Sequence, residues 1–304
     1  MPWDGTRLML APVEVGADGM PRLGEARQVA GGVDVAVQQP QFSPDGASLA
    51  FVSDQAGWYG LYLLDLATFV AAPLVRVPAD LGEAAWVQGV RTYGWSPKSD
   101  TIYYCQMDCG RTTLWKVNVS TGQFQPCAGL DEYSRFSQLA VSTDGQIALL
   151  ASGTRISPRV IVYDPHSGQH TVVARSTGET IAPEWFAEPE PYTWTTHGGE
   201  KAHGLLYRPA SAVQGTGKPP LIVRVHGGPT SQATMAFSPE VQFFASRGYS
   251  VLDVNYRGST GYGRAYMLRL REQWGVYDCE DTVSGAQCLA AQGLVDANRM
   301  VVMG

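Results

Sequence analysis

The segment His226-Gly227-Gly228-Pro229 follows directly on the apolar run 219–225 and is the part of the chain most suited to chemistry. Glycines at such a place leave backbone N–H groups open, because no side chain stands between the backbone and a ligand. A backbone N–H held in this way can stabilise the negative charge that develops on a carbonyl oxygen under nucleophilic attack. The segment therefore predicts a loop that contributes to an oxyanion-binding site.

Other side chains with catalytic potential have structural explanations. We interpret His226 as a residue that orders the loop. Ser259 lacks the strand–G-x-S-x-G–helix setting of an activated serine, so a hydrogen-bonded turn explains it. Asp278 and Asp281 match the N-cap and the first turn of a helix, where a carboxylate is favoured without any metal or acid–base role.

The elements that must position the glycine loop alternate between apolar strands and helices. In chain order they are a strand at 219–225, a helix capped by Ser238 and ended by Gly248, a strand at 249–254, a helix from Asp278 to Gly293, and a buried strand at 299–303. This order describes the middle of an α/β-hydrolase sheet, in which a G-x-S-x-G turn presents the nucleophilic serine. Gly304 stands where the first glycine of that turn would fall, so the serine is expected just beyond it.

A glycine-rich loop at 255–263 lies between the second strand and the second helix. Two interpretations of its residues Tyr256 and Arg257 stay open. They either line an interior cavity near the site, where they would help to shape the loop, or serve in packing.

The first half of the chain is a repeat. Turn segments at 2–10, 42–51, 95–104 and 141–150 each place Asp-Gly or a polar substitute before an alternating strand. A second set of strands, at 61–65, 114–118 and 160–164, follows the last three turns at one constant offset. The spacing fits the roughly 40–50 residues of a four-stranded propeller blade better than a β-sandwich. We predict a partial β-propeller of about three and a half blades.

Composition excludes several classes of protein. The 304 residues carry a formal charge of −6, which argues against a nucleic-acid partner. No apolar run approaches the roughly 18 residues of a membrane span, and the first ten residues lack the basic-then-apolar order of a signal peptide. The five cysteines have neither a disulfide framework nor a zinc-site spacing, so we expect free thiols in the cytoplasm, no metal and no cofactor.

Six segments along almost the whole chain resemble the acylaminoacyl-peptidase and dipeptidyl-aminopeptidase branch of the prolyl oligopeptidase family, peptidase family S9. They are MPWDGT (1–6), QFSPDG (41–46), FVSD (51–54), PPLIVRVHGGPTS (219–231), NYRGSTGYGR (255–264) and WGVYDCEDTV (274–283). The combination is specific, although HGGP alone is not. Departures are small: Phe42 stands where Trp is common, and Ser99 where the turn glycine is expected.

The resemblance implies a cytosolic serine peptidase that cuts short peptides by way of an acyl-enzyme. It implies that Gly228 is an oxyanion donor, and that His226, Gly227 and Pro229 shape the loop. The serine, aspartate and histidine of the triad would all lie beyond Gly304. The chain is thus expected to be an internal fragment that is inactive by itself.

These inferences divide the chain at one place. Residues 1–188 are predicted to form the partial β-propeller, and residues 189–304 the N-terminal half of an α/β-hydrolase domain that stops before the nucleophile. A short peptide is the expected partner, with no nucleic acid and no membrane, and the oligomeric state stays open. Two alternatives remain: a non-catalytic propeller that serves as a binding scaffold, and an α/β-hydrolase esterase.

Overall fold

The first half of the chain folds into antiparallel sheets whose strands follow one another along the chain. The computed structural model describes residues 1–178, 181–213, 215, 217–228 and 230–304. An opening section pairs β1 with β4 and β2 with β3, and four-stranded sheets β5–β8, β9–β12 and β13–β16 follow it. The strands are β1 Arg7–Leu10, β2 Val13–Val15, β3 Pro21–Leu23, β4 Arg27–Gly31, β5 Val37–Phe42, β6 Ser48–Ser53, β7 Gly60–Asp65, β8 Ala71–Val75, β9 Tyr93–Trp95, β10 Thr101–Asp108, β11 Arg111–Asn118, β12 Phe124–Pro126, β13 Arg135–Val141, β14 Ile147–Ser152, β15 Arg159–Asp164 and β16 Gln169–Arg175.

The hydrophobic core of this half lies between successive sheets. One buried cluster joins Leu61 of β7 to Ile102 of β10, and another joins Leu114 of β11 to Ile147 of β14. Burying a side chain of this size contributes about 1.5–3 kcal/mol, so the sheets are held face to face by apolar contact. Sheets that stack in this way are propeller blades, and the prediction of a partial β-propeller is confirmed.

The repeated turns have a common backbone. Gly46, Ser99 and Gly145 link the first two strands of their blades, and their φ angles are 72°, 60° and 88°. A left-handed φ favours glycine, yet the sequence places serine in the middle blade. The Ser99 Oγ accepts a hydrogen bond from the backbone N–H of Asp45 at 3.1 Å, which ties this turn to the preceding blade.

The third strand of each blade ends in a side chain that caps the next turn. An oxygen of Asp65 accepts hydrogen bonds from the backbone N–H groups of residues 67 and 68 at 3.0 and 2.7 Å. In the next blade Asn118 accepts from the backbone N–H groups of residues 120 and 121, and in the blade after it Asp164 accepts from the backbone N–H of residue 166. Such Asx turns depend only on local sequence, which is why the repeat is visible without the fold.

Replacing Gly145 with alanine is expected to lower the free energy of unfolding by about 1–2 kcal/mol, because an L-residue is strained at φ 88°. A Cβ at Gly145 meets no atom within 4 Å, so the effect comes from the backbone alone. The matched variant Ser99→Gly relieves the same backbone strain, so it should lower the free energy of unfolding by less than Gly145→Ala does. Urea unfolding of both variants checks this, and an equal loss in the two would contradict it.

The second half forms one mixed sheet of order β17-β18-β20-β19-β21. β19 runs parallel to both β20 and β21, whereas β18 is antiparallel to β17 and β20. The strands and helices are β17 Pro189–Thr195, β18 Lys201–Tyr207, β19 Leu221–Val225, α1 Pro239–Ala245, β20 Ser250–Asn255, α2 Arg264–Met267, α3 Tyr277–Ala291 and β21 Met300–Met303, with short 3-10 turns at Pro183–Trp185, His197–Gly199 and Leu268–Leu270. This is the predicted α/β-hydrolase arrangement. The exact domain boundary after residue 188 stays a prediction.

Helix α1 begins where the sequence predicts, whereas helix α3 does not begin at its predicted cap. The Ser238 hydroxyl accepts a hydrogen bond from the backbone N–H of Val241, as an N-cap should. Helix α3 begins at Tyr277, so Asp278 lies in its first turn and is not the cap as expected. Leu289 is fully buried in the core against the sheet, whereas Val283 on the same helix is exposed.

In this chain β21 has a strand neighbour on one side, β19, and Val301 and Val302 are 56% and 61% exposed. The burial expected for this strand is therefore not seen among the described residues. No helix among the described residues is both long and apolar enough to cross a membrane.

Candidate active site

The glycine loop and the end of the chain lie side by side at one edge of the sheet. β19 and β21 are parallel neighbours, with Arg224 opposite Met303 in the register. Parallel strands end at the same edge, so the loop that follows β19 and the residue that follows β21 meet there. A Cβ built on Gly304 would lie 3.0 Å from the Val225 carbonyl oxygen, which shows how closely the two backbones pass.

Gly228 offers a backbone donor at this edge. Its φ of 108° lies where L-residues are rarely found, which explains why glycine occupies the position. Its N–H donates no hydrogen bond to any of the described residues. A Cβ on Gly228 would approach the Trp86 ring at 3.6 Å, whereas one on Gly227 would meet nothing within 4 Å.

His226 is fixed by its neighbours. Its Nδ1 lies 3.1 Å from the Gly227 carbonyl oxygen, and its Nε2 lies 2.8 Å from the Ser259 hydroxyl. Because a carbonyl can only accept, Nδ1 carries the proton and Nε2 accepts from Ser259. The imidazole also stacks on Tyr256 at 4.6 Å between ring centroids, and the Tyr256 hydroxyl donates to the His226 carbonyl at 3.0 Å.

These contacts indicate that His226 and Ser259 have a structural role in the loop. Ser259 is completely buried, so its hydroxyl cannot reach a substrate. Burial lowers the pKa of the His226 imidazole, which keeps it neutral near pH 7. Tyr256 lies under the loop and holds its first carbonyl. The predicted loop-shaping roles of His226, Gly227 and Tyr256 agree with this geometry and stay predictions, and Pro229 lies outside the described residues.

Arg257 is packed away from the glycine loop in a buried ion-pair cluster. Its guanidinium contacts Asp281 at 2.8 Å and Glu280 at 2.9 Å, and it lies 3.9 Å above the Tyr277 ring. The Arg257 backbone N–H also donates to Asp281 at 2.7 Å. Asp281 is fully buried, so its interpretation as a carboxylate that serves the helix dipole is wrong. It anchors the glycine-rich loop to α3.

The propeller half holds the glycine loop from the opposite side. The Trp86 indole N–H donates to the Thr230 carbonyl at 2.8 Å, two residues after Gly228. Further along, the Ser134 hydroxyl donates to the Met235 carbonyl. Sequence reasoning missed these residues because the partners are separated by 144 and 101 positions.

Two buried carboxylates of the propeller also bind the second half. Asp54 pairs with Arg264, which begins helix α2. Asp80 accepts hydrogen bonds from the backbone N–H of Tyr59 at 3.0 Å and of Gly261 at 3.1 Å. Asp54 belongs to the FVSD segment that carries the family resemblance, so one of these two carboxylates lies in a motif that is recognisable from the sequence.

Burial raises the pKa of Asp80 to about 6, well above its value in an unfolded chain. Between about pH 4 and pH 6 the folded chain therefore binds more protons than the unfolded chain, and this carboxyl contributes stability that is lost as the pH rises. The free-energy advantage of the wild type over Asp80→Asn should shrink by about 2.4 kcal/mol from pH 4 to pH 7.

Urea unfolding of both proteins at several pH values measures this difference. Asp65→Asn is the matched control, because hydrogen bonds from Thr68 lower the pKa of Asp65 and its contribution must change in the opposite sense. A flat difference for Asp80→Asn would show that Asp80 titrates normally.

Cavities flank the glycine loop. One of about 610 Å³ has His226, Met303 and Gly304 in its lining. Another of about 490 Å³ reaches Gly228 from the propeller side and includes Trp86. The described residues contain no cluster of three or more His, Cys, Asp or Glu side chains that could hold a metal.

Comparison with known proteins places this geometry among peptidases. Residues 235–304 match the model of the prolyl oligopeptidase family. A puromycin hydrolase of known structure is 34% identical with a TM-score of 0.88, and the likeness covers 99% of this chain and 45% of that protein. A puromycin-hydrolyzing peptidase of Mycobacterium tuberculosis is 30% identical with a TM-score of 0.90 and the same coverage.

Curated relatives agree at lower identity. The acylamino-acid-releasing enzyme of Sus scrofa is 24% identical over 289 residues, which is 89% of this chain and 39% of the enzyme. Dipeptidyl aminopeptidase BIII of Pseudoxanthomonas mexicana is 30% identical over 151 residues, which is 47% of this chain and 21% of the enzyme. The chain spans less than half the length of the relatives named here. The resemblance derived from the sequence motifs is confirmed.

Proposed function

We propose that this chain, a relative of the prolyl oligopeptidase family along almost its whole length, belongs to a serine peptidase that hydrolyses short peptides. The observation that carries the proposal is the parallel pairing of β19 with β21. This pairing puts the loop with Gly228 beside the point where an α/β-hydrolase presents its nucleophile. The triad itself is proposed to lie in the part of the whole protein after Gly304.

In the proposed reaction the serine attacks the peptide carbonyl and forms an acyl-enzyme, which water then hydrolyses. The carbonyl oxygen accepts a hydrogen bond from the Gly228 N–H while negative charge develops on it. His226 is not proposed as the general base, since its Nε2 accepts from the Ser259 hydroxyl, which is completely buried and cannot reach a substrate. Its role is to hold the loop in shape.

The propeller half favours short substrates in this proposal. Two contacts support this: Trp86 donates to the Thr230 carbonyl next to the glycine loop, and Ser134 donates to the Met235 carbonyl further along. In this proposal the propeller half restricts access to the site from that side. A folded protein would be excluded, whereas an extended peptide would not. We further propose that the protein acts in the cytoplasm, in accord with the unpaired state of Cys105, Cys109, Cys127, Cys279 and Cys288.

A fluorophosphonate probe tests the proposal. The whole protein should be labelled, and it should release amine from short peptide p-nitroanilides faster than it cleaves p-nitrophenyl esters of short fatty acids. The 304-residue chain should not be labelled above a heat-inactivated sample. Absence of labelling in the whole protein would favour the scaffold alternative, and ester cleavage without peptide cleavage would favour an esterase.

A further inference from the structure

The propeller half contains a cavity that the proposed mechanism does not use. It has a volume of about 610 Å³ and lies between the blade of β9–β12 and the turn at Pro165 and His166 in the blade of β13–β16. This volume is within the roughly 300–1,000 Å³ that small-ligand sites have. The cavity is therefore large enough for a small molecule or for the end of a peptide.

Two polar rungs of one blade line this cavity. In the inner rung, Tyr103 of β10 lies opposite Lys116 of β11, and Lys116 lies opposite Gln125 of β12. The outer rung consists of Thr101, Asn118 and Gln123. Side chains two residues apart on a strand share one face of the sheet, so both rungs point to the same side of the blade. All six residues contribute to the lining.

The apolar contact between the two blades ends where the cavity begins. Cys105 follows Tyr103 by two residues on β10 and lies opposite Leu114, and both are buried in the core between the blades. One rung further out, the same face of the sheet carries hydroxyl, ammonium and amide groups. Polar groups at the end of a packed face are more informative than apolar ones, because packing alone does not require them. The change in composition points to a ligand.

Tyr103 and Lys116 have no polar partner among the residues that the structure describes. Tyr103 is only 8% exposed, yet its hydroxyl takes part in no hydrogen bond with any of them. Burial raises the pKa of Tyr103, so the hydroxyl stays protonated and can donate. The half-buried ammonium group of Lys116 also has neither an ion pair nor a hydrogen bond with them. Partial burial of a charge without a partner is unfavourable, and a bound acceptor would satisfy both groups.

The charges around the cavity favour an anion with a single charge. Among the described residues, the lining contains the ammonium group of Lys116 and no Asp or Glu. Asp100 and Asp164 lie just outside it, where they accept hydrogen bonds from the Ser96 hydroxyl and from the His166 backbone N–H. Both are close enough to influence the tyrosine of the cavity, so they oppose a second negative charge. A carboxylate fits these conditions better than a phosphate ester, which carries nearly two charges.

The cavity lies at the end of the blade that faces away from the second half of the chain. Strand β10 runs from Thr101 to Asp108, and the carbonyl of nearby Gly110 accepts a hydrogen bond from the Met235 N–H at 2.8 Å. A strand rises about 3.4 Å per residue, so the two ends of β10 are separated by roughly 20 Å. We propose that Tyr103, Lys116 and Gln125 form a carboxylate-binding site for a small organic acid or for the C-terminus of a peptide, separate from the proposed catalytic site.

Calorimetric titration of the whole protein tests this site. Phenylacetate is the probe for a free organic acid and N-acetyl-alanyl-phenylalanine the probe for a peptide C-terminus, and each is compared with its own amide. The protein is treated beforehand with a fluorophosphonate, so that the proposed peptidase cannot cleave a probe. At least one of the two acids should bind, and its amide should bind roughly tenfold or more weakly. The acid that binds more tightly identifies the source of the carboxylate.

Variants assign the binding to this cavity. Lys116→Met removes the charge and keeps the length of the side chain, so it should weaken binding of the acid by roughly tenfold or more. Tyr103→Phe should weaken it by roughly 3–10-fold. Lys98→Met is the matched control, because Lys98 is exposed in the turn before β10 and does not line the cavity. It should leave the affinity for the acid unchanged.

Three results would overturn the site: equal affinity for acid and amide, tighter binding of inorganic phosphate than of either acid, or equal weakening in Lys116→Met and Lys98→Met. Thermal unfolding of each variant without ligand identifies a loss that comes from misfolding, and Tyr103→Phe then provides the second measurement. The outcome is independent of the proposed function. A protein that reacts with the fluorophosphonate but binds neither acid would keep the peptidase and lose this site, and the opposite result would do the reverse.

Discussion

Replacement of Gly228 by alanine is expected to lower kcat of the whole protein on short peptides by about 10²–10³-fold, the effect of removing one oxyanion donor. Alanine is strained at the φ of 108° that Gly228 adopts, so the peptide plane must rotate and its N–H turns away from the carbonyl oxygen. The loss should appear mainly in kcat, because this hydrogen bond strengthens only as charge develops.

Gly227→Ala is the internal control. A Cβ on Gly227 meets no protein atom within 4 Å, and its φ is not in the left-handed region, so the loop keeps its shape. This variant should retain most of the activity. Equal losses of kcat in the two variants would mean that side-chain bulk in the loop, rather than the direction of the Gly228 N–H, controls the reaction. An unchanged kcat in Gly228→Ala would show that this residue is not part of the oxyanion site.

The largest expected effect on stability is at Asp281. Asp281→Ala should reduce the free energy of unfolding by about 3–5 kcal/mol, because it leaves the buried guanidinium of Arg257 without its closest partner. The carboxylate also accepts the Arg257 backbone N–H and the Thr196 hydroxyl, at 2.7 and 2.8 Å. These donors would lose their acceptor together. Chemical unfolding followed by circular dichroism measures the loss.

Arg269→Ala provides the comparison. Arg269 pairs with Glu200 at 3.1 Å but is exposed, so its removal should cost about 0–1 kcal/mol. The double variant Arg257→Leu/Asp281→Leu removes both charges and should be more stable than Asp281→Ala alone. If Asp281→Ala lost no more than Arg269→Ala, the buried cluster would not be what anchors the glycine-rich loop.

Local patterns predicted the parts of the fold that local interactions determine. The blade turns are visible because Asp65 and its equivalents bond the backbone two or three residues on, and because Gly46 and Gly145 occupy left-handed positions. The glycine loop is visible because it follows a buried parallel strand. The residues of the blade turns need no distant partner to have their effect, whereas the conformation of the glycine loop also depends on Ser259, Tyr256 and Trp86.

Contacts between residues far apart in the sequence could not be predicted from local patterns. An acidic residue near a helix start looks like a partner of the helix dipole, whereas Asp281 is the counter-ion of a residue in another loop. Trp86 looks like any exposed aromatic until its bond to Thr230 is seen.

Because Trp86 of the propeller half donates a hydrogen bond to Thr230, the conformation of the glycine loop depends on both halves of the chain. If the propeller half moved away from the site to admit a peptide, the hydrogen bond from Trp86 to Thr230 would break and the glycine loop would lose this support. Peptide entry and peptide cleavage would then take place in different conformations, and the open conformation would be inactive.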